Sequence, residues 1–159
     1  MNQLPNIAAM LRAQQVQALL LTNDAPESIQ YATGFGGLEG MVLITAAGKG
    51  FVLTDSRYIE AARARLTPLG FAVSVPPQGG PSAPALRALL EGEQITRLAF
   101  LAQCMSVQTH QRLTAALPDC TLEPLGEGLT RLRQVKDQDE IACLRQAQRI
   151  APLLEQPST

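Results

Sequence analysis

The chain has 159 residues, 46% of them hydrophobic, with 13 basic and 14 acidic side chains and a net charge of −1. That suffices for one domain with a sizeable core, which at this size buries roughly 70% of the surface its unfolded chain exposes, so neither a disulfide nor a metal is required for stability. The scattered Lys and Arg argue against a nucleic-acid surface, no run approaches the ~18 apolar residues of a membrane span, and the N-terminus lacks the basic and apolar regions of a signal peptide.

In chain order, Leu4, Ile7, Met10 and Leu11 recur at helical spacing, with Pro5 acceptable in a first turn. Ala18 to Thr22 is a short apolar run, read as a buried strand. Asp24 and Glu27 stand at capping-box spacing with Pro26 between them, so a short helix to about Tyr31 is expected, ending near Gly34. Met41 to Thr45 and Phe51 to Thr54 flank a glycine-bearing loop and predict a hairpin. Asp55 is expected to cap a helix through Leu66, closed by Pro68 and Gly70. Phe71 to Val75 reads as a strand, and Pro76 to Pro84 as a surface loop. Ser82 begins a helix carrying Leu86, Leu89 and Leu90; Arg97 to Leu101 is a strand; Ser106 caps a helix through Leu117. Thr121 to Pro124 is the last strand, followed by a helical turn around Leu129. Strands alternating with helices, one pair of them antiparallel, predict an α/β fold with a mixed, roughly six-stranded sheet flanked by helices. The sequence shows no internal repeat.

The stretch from Arg131 onward is a basic connector and then a well-capped helix, expected from Gln138 to about Ile150. Asp137 and Glu140 have capping-box spacing, and Ile141, Leu144 and Ala147 make one apolar stripe. Pro152 ends it. Such a stripe needs a partner, so the expected organisation is one domain over residues 1–133 and, over 134–159, a connector with the truncated first helix of an absent second domain. This helix is expected to be the least stable element.

Three segments carry a family resemblance. The run from Leu132 to Ala151 resembles the junction between the two domains of the Xaa-Pro peptidase (prolidase, aminopeptidase P) and creatinase family of metallopeptidases. Ser28 to Gly37 resembles that family's Asn-Ile-x-Tyr-Leu-Thr-Gly-Phe segment, and Phe51 to Ala62 its Leu-Leu-Thr-Asp-x-Arg-Tyr-x-Glu segment. The three occur in the family's order. The resemblance implies the creatinase/prolidase N-terminal domain, a ribonuclease H-like fold, with its own C-terminal catalytic domain of pita-bread form downstream. It implies a parent that cleaves the bond preceding proline in short proline-containing peptides, using two divalent metal ions (Mn, Co or Zn), and that forms a homodimer; the cysteines, read as free thiols, point to the cytoplasm. The alternative reading is a protein-interaction module without peptidase activity, since similar domains also occur fused to inactive pita-bread domains.

The family's metal ligands (two Asp, one His and two Glu) lie downstream of the connector, and none can be carried onto this sequence. No cofactor and no catalytic residue is therefore expected in this chain, and alone it should neither hydrolyse an Xaa-Pro dipeptide nor bind a divalent metal tightly. His110, the only histidine, shares a helix face with Val107, Thr114 and Leu117 and reads as a packing residue. Cys104, Cys120 and Cys143 are odd in number and form no Cys-x-x-Cys pair, which reads as free thiols in a reducing compartment. No Gly-x-Ser-x-Gly occurs, and helix capping accounts for Ser56, Ser82 and Ser106.

Two segments have both a structural and a functional reading. Gly34 to Gly40 is spaced Gly-x-Gly-x-x-x-Gly and precedes a strand, unlike a phosphate loop, which opens a helix. It is a permissive turn or the mobile rim of a peptide site. In Asp55-Ser-Arg57-Tyr58, the residues either cap, solvate and pack, or Arg57 faces a substrate cleft. The resemblance places these two segments at the cleft-facing edge of such domains, so Tyr31, Phe35, Arg57 and Tyr58 are the substrate-cleft candidates.

Overall fold

The computed structural model describes residues 2–77 and 79–134. The helix expected from Gln138 to Ile150 and the thiol of Cys143 lie outside the described residues. The chain divides into two compact units, Met1–Gly126 and Glu127–Thr159. In the second, residues 128–134 are helical, and Arg131 pairs with Glu127 one turn away at 3.6 Å.

The first unit runs α1 (Leu4–Ala13), β1 (Ala18–Leu21), α2 (Pro26–Thr33), β2 (Met41–Thr45), β3 (Gly50–Leu53) and α3 (Ile59–Leu66). A 3-10 turn, Thr67–Leu69, follows. Then come β4 (Phe71–Ser74), α4 (Ala83–Gly92), β5 (Arg97–Phe100), α5 (Val107–Ala116) and β6 (Thr121–Pro124). The six strands form one sheet in the order β4-β3-β2-β1-β5-β6. Pairing is antiparallel for β1–β2 and β2–β3 and parallel elsewhere, so the sheet is mixed, as the hairpin in the sequence requires.

Central strands buried on both faces read as continuous apolar runs. β1 is the example: all four residues of Ala18–Leu21 are buried. Leu20 points to the layer under α4 and α5, where Leu86, Leu90, Leu113 and Leu117 meet Leu43 and Leu98. On the other face α1 packs on β2, burying Ile7 and Leu11, while α3 packs on β4.

Three local expectations are corrected. Asp24 does not cap α2: the N-cap is Ala25, with no side-chain cap bond. Its carboxylate instead accepts the Ser106 N–H at 3.0 Å, at the start of α5. Asp55 does not cap α3, which begins at Ile59; residues 55–58 form a turn, with the Tyr58 N–H donating to the Asp55 carbonyl. Val107 is 73% exposed rather than packed with His110. The caps of Ser82 and Ser106 form as read, accepting from the Ala85 and Thr109 N–H groups.

A recurrence that the sequence reading passes over lies at the ends of α1 and α4. Gln15 and Gln94 both adopt left-handed backbone, with φ of 59° and 56°. In each case the next residue, Val16 or Ile95, donates its N–H back to the carbonyl of Leu11 or Leu90. These are two Schellman motifs that close the helices leading into the parallel neighbours β1 and β5. A left-handed non-glycine residue costs ~1–2 kcal/mol and glycine's extra chain entropy ~0.5–1, so Gln15→Gly and Gln94→Gly should each stabilise by about 0.5–1 kcal/mol. Urea unfolding checks this; lower midpoints for both variants would contradict the left-handed geometry.

Candidate functional site

The register brings most of the chemistry-bearing loops to one end of the sheet. Leu21 pairs with Val42, Met41 with Leu53, Leu53 with Ser74, and Leu20 with Phe100. The segments following β1, β3, β4 and β5, and the one preceding β2, therefore emerge together. Such an end, outside the carboxyl ends of parallel strands, is where open α/β sheets generally bind ligands.

The glycine-rich loop at this end is pinned rather than loose. Gly34 closes α2 in a left-handed conformation (φ 73°), its N–H donating to the Gln30 carbonyl. Arg65 of α3 donates from Nη2 to the Gly34 carbonyl at 3.0 Å, and its guanidinium lies 4.6 Å from the Phe35 ring centroid. Thr54 Oγ1 donates to the Glu39 carbonyl at 2.8 Å, and the Gly40 N–H donates to Asn23 Oδ1 at 2.8 Å. Phe35 and Leu38 are buried; Gly36, Gly37 and Glu39 are exposed.

Beside that loop stands a charged cluster. Asp55 Oδ1 accepts the backbone N–H of Arg57 at 2.9 Å, an Asx-type turn. The same carboxylate receives the guanidinium as a fork, Nε to Oδ1 at 3.1 Å and Nη2 to Oδ2 at 2.8 Å. Nη2 also donates to Glu39 Oε2 at 2.8 Å. The guanidinium carbon lies 5.1 Å from the Tyr58 ring centroid. The Arg57 hydrogen bonds hold the Asp55 carboxyl below its usual range, and Asp55 and then Glu39 hold the Arg57 guanidinium above its own. All of this is at the surface, with Arg57 63% exposed.

The four cleft candidates thus divide. Arg57, exposed, and Tyr58, half-buried, stand together. Phe35 is buried beneath Arg65. Tyr31 donates its hydroxyl hydrogen to Gln3 Oε1 at 3.2 Å, towards α1. Glu39 was missed as a partner, although it is the one charged residue in the glycine run. Asn23 and Asp24 were missed as the pair that ties the end of β1 to the glycine loop and to α5. That role depends on sheet order, which no local pattern encodes.

The remaining chemistry is sparse. The His110 ring packs on Phe100, centroids 5.0 Å apart and tilted by 54°. Among the described residues no group of three or more His, Cys, Asp or Glu could hold a metal ion, so the side chains present do not fit a metal centre. Cys104 and Cys120 are free thiols, and burial pushes Cys120 up from its usual range. A cavity of about 30 Å³ beside Leu90, Ile95, Leu117 and Cys120 has room for about one water, which is too small for a peptide. Among the described residues no helix is long and apolar enough to cross a membrane.

These features define a class: a mixed six-stranded α/β domain with one ordered polar edge. The chain belongs to the Creatinase/Prolidase N-terminal domain family, whose model matches residues 3–135. It is similar to an uncharacterized peptidase of Bacillus subtilis, YqhT, with 30% identity over 136 residues. That match takes in 86% of this chain and 36% of the relative, so the chain spans about a third of the curated protein it matches. It is also similar to the solved Xaa-Pro aminopeptidase (aminopeptidase P) of Streptococcus thermophilus, 27% identical with a TM-score of 0.71, covering 82% of this chain and 95% of that one. The X-Pro aminopeptidase of Thermotoga maritima is 26% identical with a TM-score of 0.72, covering 87% of this chain and 39% of that one.

Proposed function

We propose that this chain is the non-catalytic N-terminal domain of an Xaa-Pro dipeptidase or aminopeptidase. The observation that carries the reading is the family match across residues 3–135, together with similarity to solved Xaa-Pro aminopeptidases. On this reading residues 1–133 form the domain, and 134–159 lead into a catalytic domain that holds two divalent metal ions. The domain shapes access for short proline-containing peptides and contributes to a homodimer in the cytoplasm, a setting that suits the free thiols of Cys104 and Cys120.

Within that assembly the Arg57–Tyr58 edge faces the substrate, and the guanidinium holds a peptide carboxylate through paired charge-assisted hydrogen bonds. Phe35 packs under Arg65 within the glycine loop beside that edge, while Tyr31 turns to Gln3. The test is Arg57→Ala in the full-length peptidase, assayed on di- and tripeptides alongside thermal melting. KM should rise about tenfold or more, as expected for loss of a hydrogen-bonded charge, with kcat and the melting temperature little changed. Unchanged kinetic constants with an intact fold would return Arg57 to a solvated surface charge.

A further inference from the structure

The three hydrogen bonds of the Arg57 side chain are unequal in kind. Asp55 takes the fork from Nε and Nη2, also accepts the Arg57 backbone N–H, and is only 18% exposed. Glu39 gives Nη2 a single oxygen, from a side chain that is 54% exposed. The Glu39 backbone is fixed independently, its carbonyl by Thr54 and the following N–H by Asn23. Its carboxylate can therefore leave Arg57 by a rotamer change, without the loop opening. The outer pair of guanidinium nitrogens, Nη1 and Nη2, then offers a second fork to an incoming carboxylate.

We propose that Glu39 is an exchangeable internal occupant of Arg57, seated where the carboxylate of a ligand with a free C-terminus binds, and displaced by it. This rests on the reading of Arg57 as a carboxylate-binding residue. The ligand forms two bonds in place of the single one that Glu39 gives up, while Asp55 keeps the guanidinium oriented throughout. An amidated peptide has no C-terminal carboxylate with which to displace Glu39 and is rejected. Glu39 thus sets both the affinity and the carboxylate selectivity of this edge.

The test is titration of the 159-residue chain with the dipeptide Ala-Pro and with its C-terminal amide, following by NMR the backbone amide resonances of Gly40 and Tyr58, which every variant retains. Glu39→Gln should bind Ala-Pro about twofold to fivefold more tightly than the original chain, the range set by the worth of an exposed ion pair. Glu39→Asp keeps the charge but shortens the reach, and should show the same gain. The amide should bind none of the three. If only Glu39→Gln gains, repulsion at a distance rather than occupancy is at work and the proposal falls. If neither variant gains while Arg57→Ala loses binding, the displacement is wrong but the carboxylate site stands. If Arg57→Ala binds like the original chain, or if no variant binds, the carboxylate reading itself fails and takes the proposal with it.

Discussion

Gly40→Ala is expected to destabilise the domain by about 3 kcal/mol or more, a large share of the ~5–15 kcal/mol that holds a domain together. A Cβ at this position would lie 2.2 Å from the Leu53 carbonyl oxygen, 3.2 Å from its carbon and 3.4 Å from Thr54 Cα. All three atoms are backbone, so no side chain can swing aside. Met41, the next residue, makes the first rung of the β2–β3 ladder opposite Leu53. Relief must therefore come from moving that rung. The movement would pull the Gly40 N–H from Asn23 and the Glu39 carbonyl from Thr54, leaving polar groups unpaired. Gly37→Ala is the matched control. Its φ of 80° is left-handed, but nothing lies within 4 Å of the added carbon, so only the backbone penalty of ~1–2 kcal/mol applies. Urea unfolding of both variants decides the matter: equal losses would show that close approach is not what selects glycine at position 40.

Most of the fold was legible in the sequence, because most of its signals are local. Alternating apolar runs and breakers placed all six strands, and Ser82 and Ser106 mark the starts of α4 and α5 as their capping chemistry requires. The two capping errors share one cause. Asp24 and Asp55 stand where N-caps stand, but both carboxylates found stronger donors. Asp24 found the N-terminus of α5, brought alongside by the parallel pairing of β1 with β5. Its carboxyl is held below the usual range, first by the Ser106 N–H. Asp55 found a guanidinium two residues away. A capping pattern states that a carboxylate wants N–H donors; only the tertiary structure says which ones. The same limit applies to the candidate site. Arg57 and Tyr58 are sequence neighbours and were read together, whereas the Glu39 partnership spans 18 positions and needed the β2–β3 ladder to form. The two Schellman turns were missed because glutamine, unlike glycine, gives no local hint of left-handed backbone.

The other large effect is expected at Leu20. β1 lies between antiparallel β2 and parallel β5, and two parts of the polar edge are tied to its end, the glycine loop through Asn23 and α5 through Asp24. Leu20 is 1% exposed and sits in the layer that joins the sheet to α4 and α5, among Leu43, Leu86 and Leu98. Truncation to alanine removes the transfer free energy of the lost methyl groups and leaves a void that a central strand cannot collapse into, so a loss of about 2–5 kcal/mol is expected. Leu20→Met keeps the volume and should cost less than about 1.5 kcal/mol. Leu122, half-buried on edge strand β6, packs on the same layer but can relax towards solvent, so Leu122→Ala should cost only about 1 kcal/mol. Chemical unfolding of the three variants ranks them, and a Leu122 loss equal to that of Leu20 would place the core elsewhere. Hydrogen exchange adds a second reading. The amides of Gly40 and Ser106 are held by side chains immediately after β1, so Leu20→Ala should speed exchange at both. Exchange that quickens in β1 and leaves those two amides untouched would mean that the polar edge keeps its order independently of the strand that carries it.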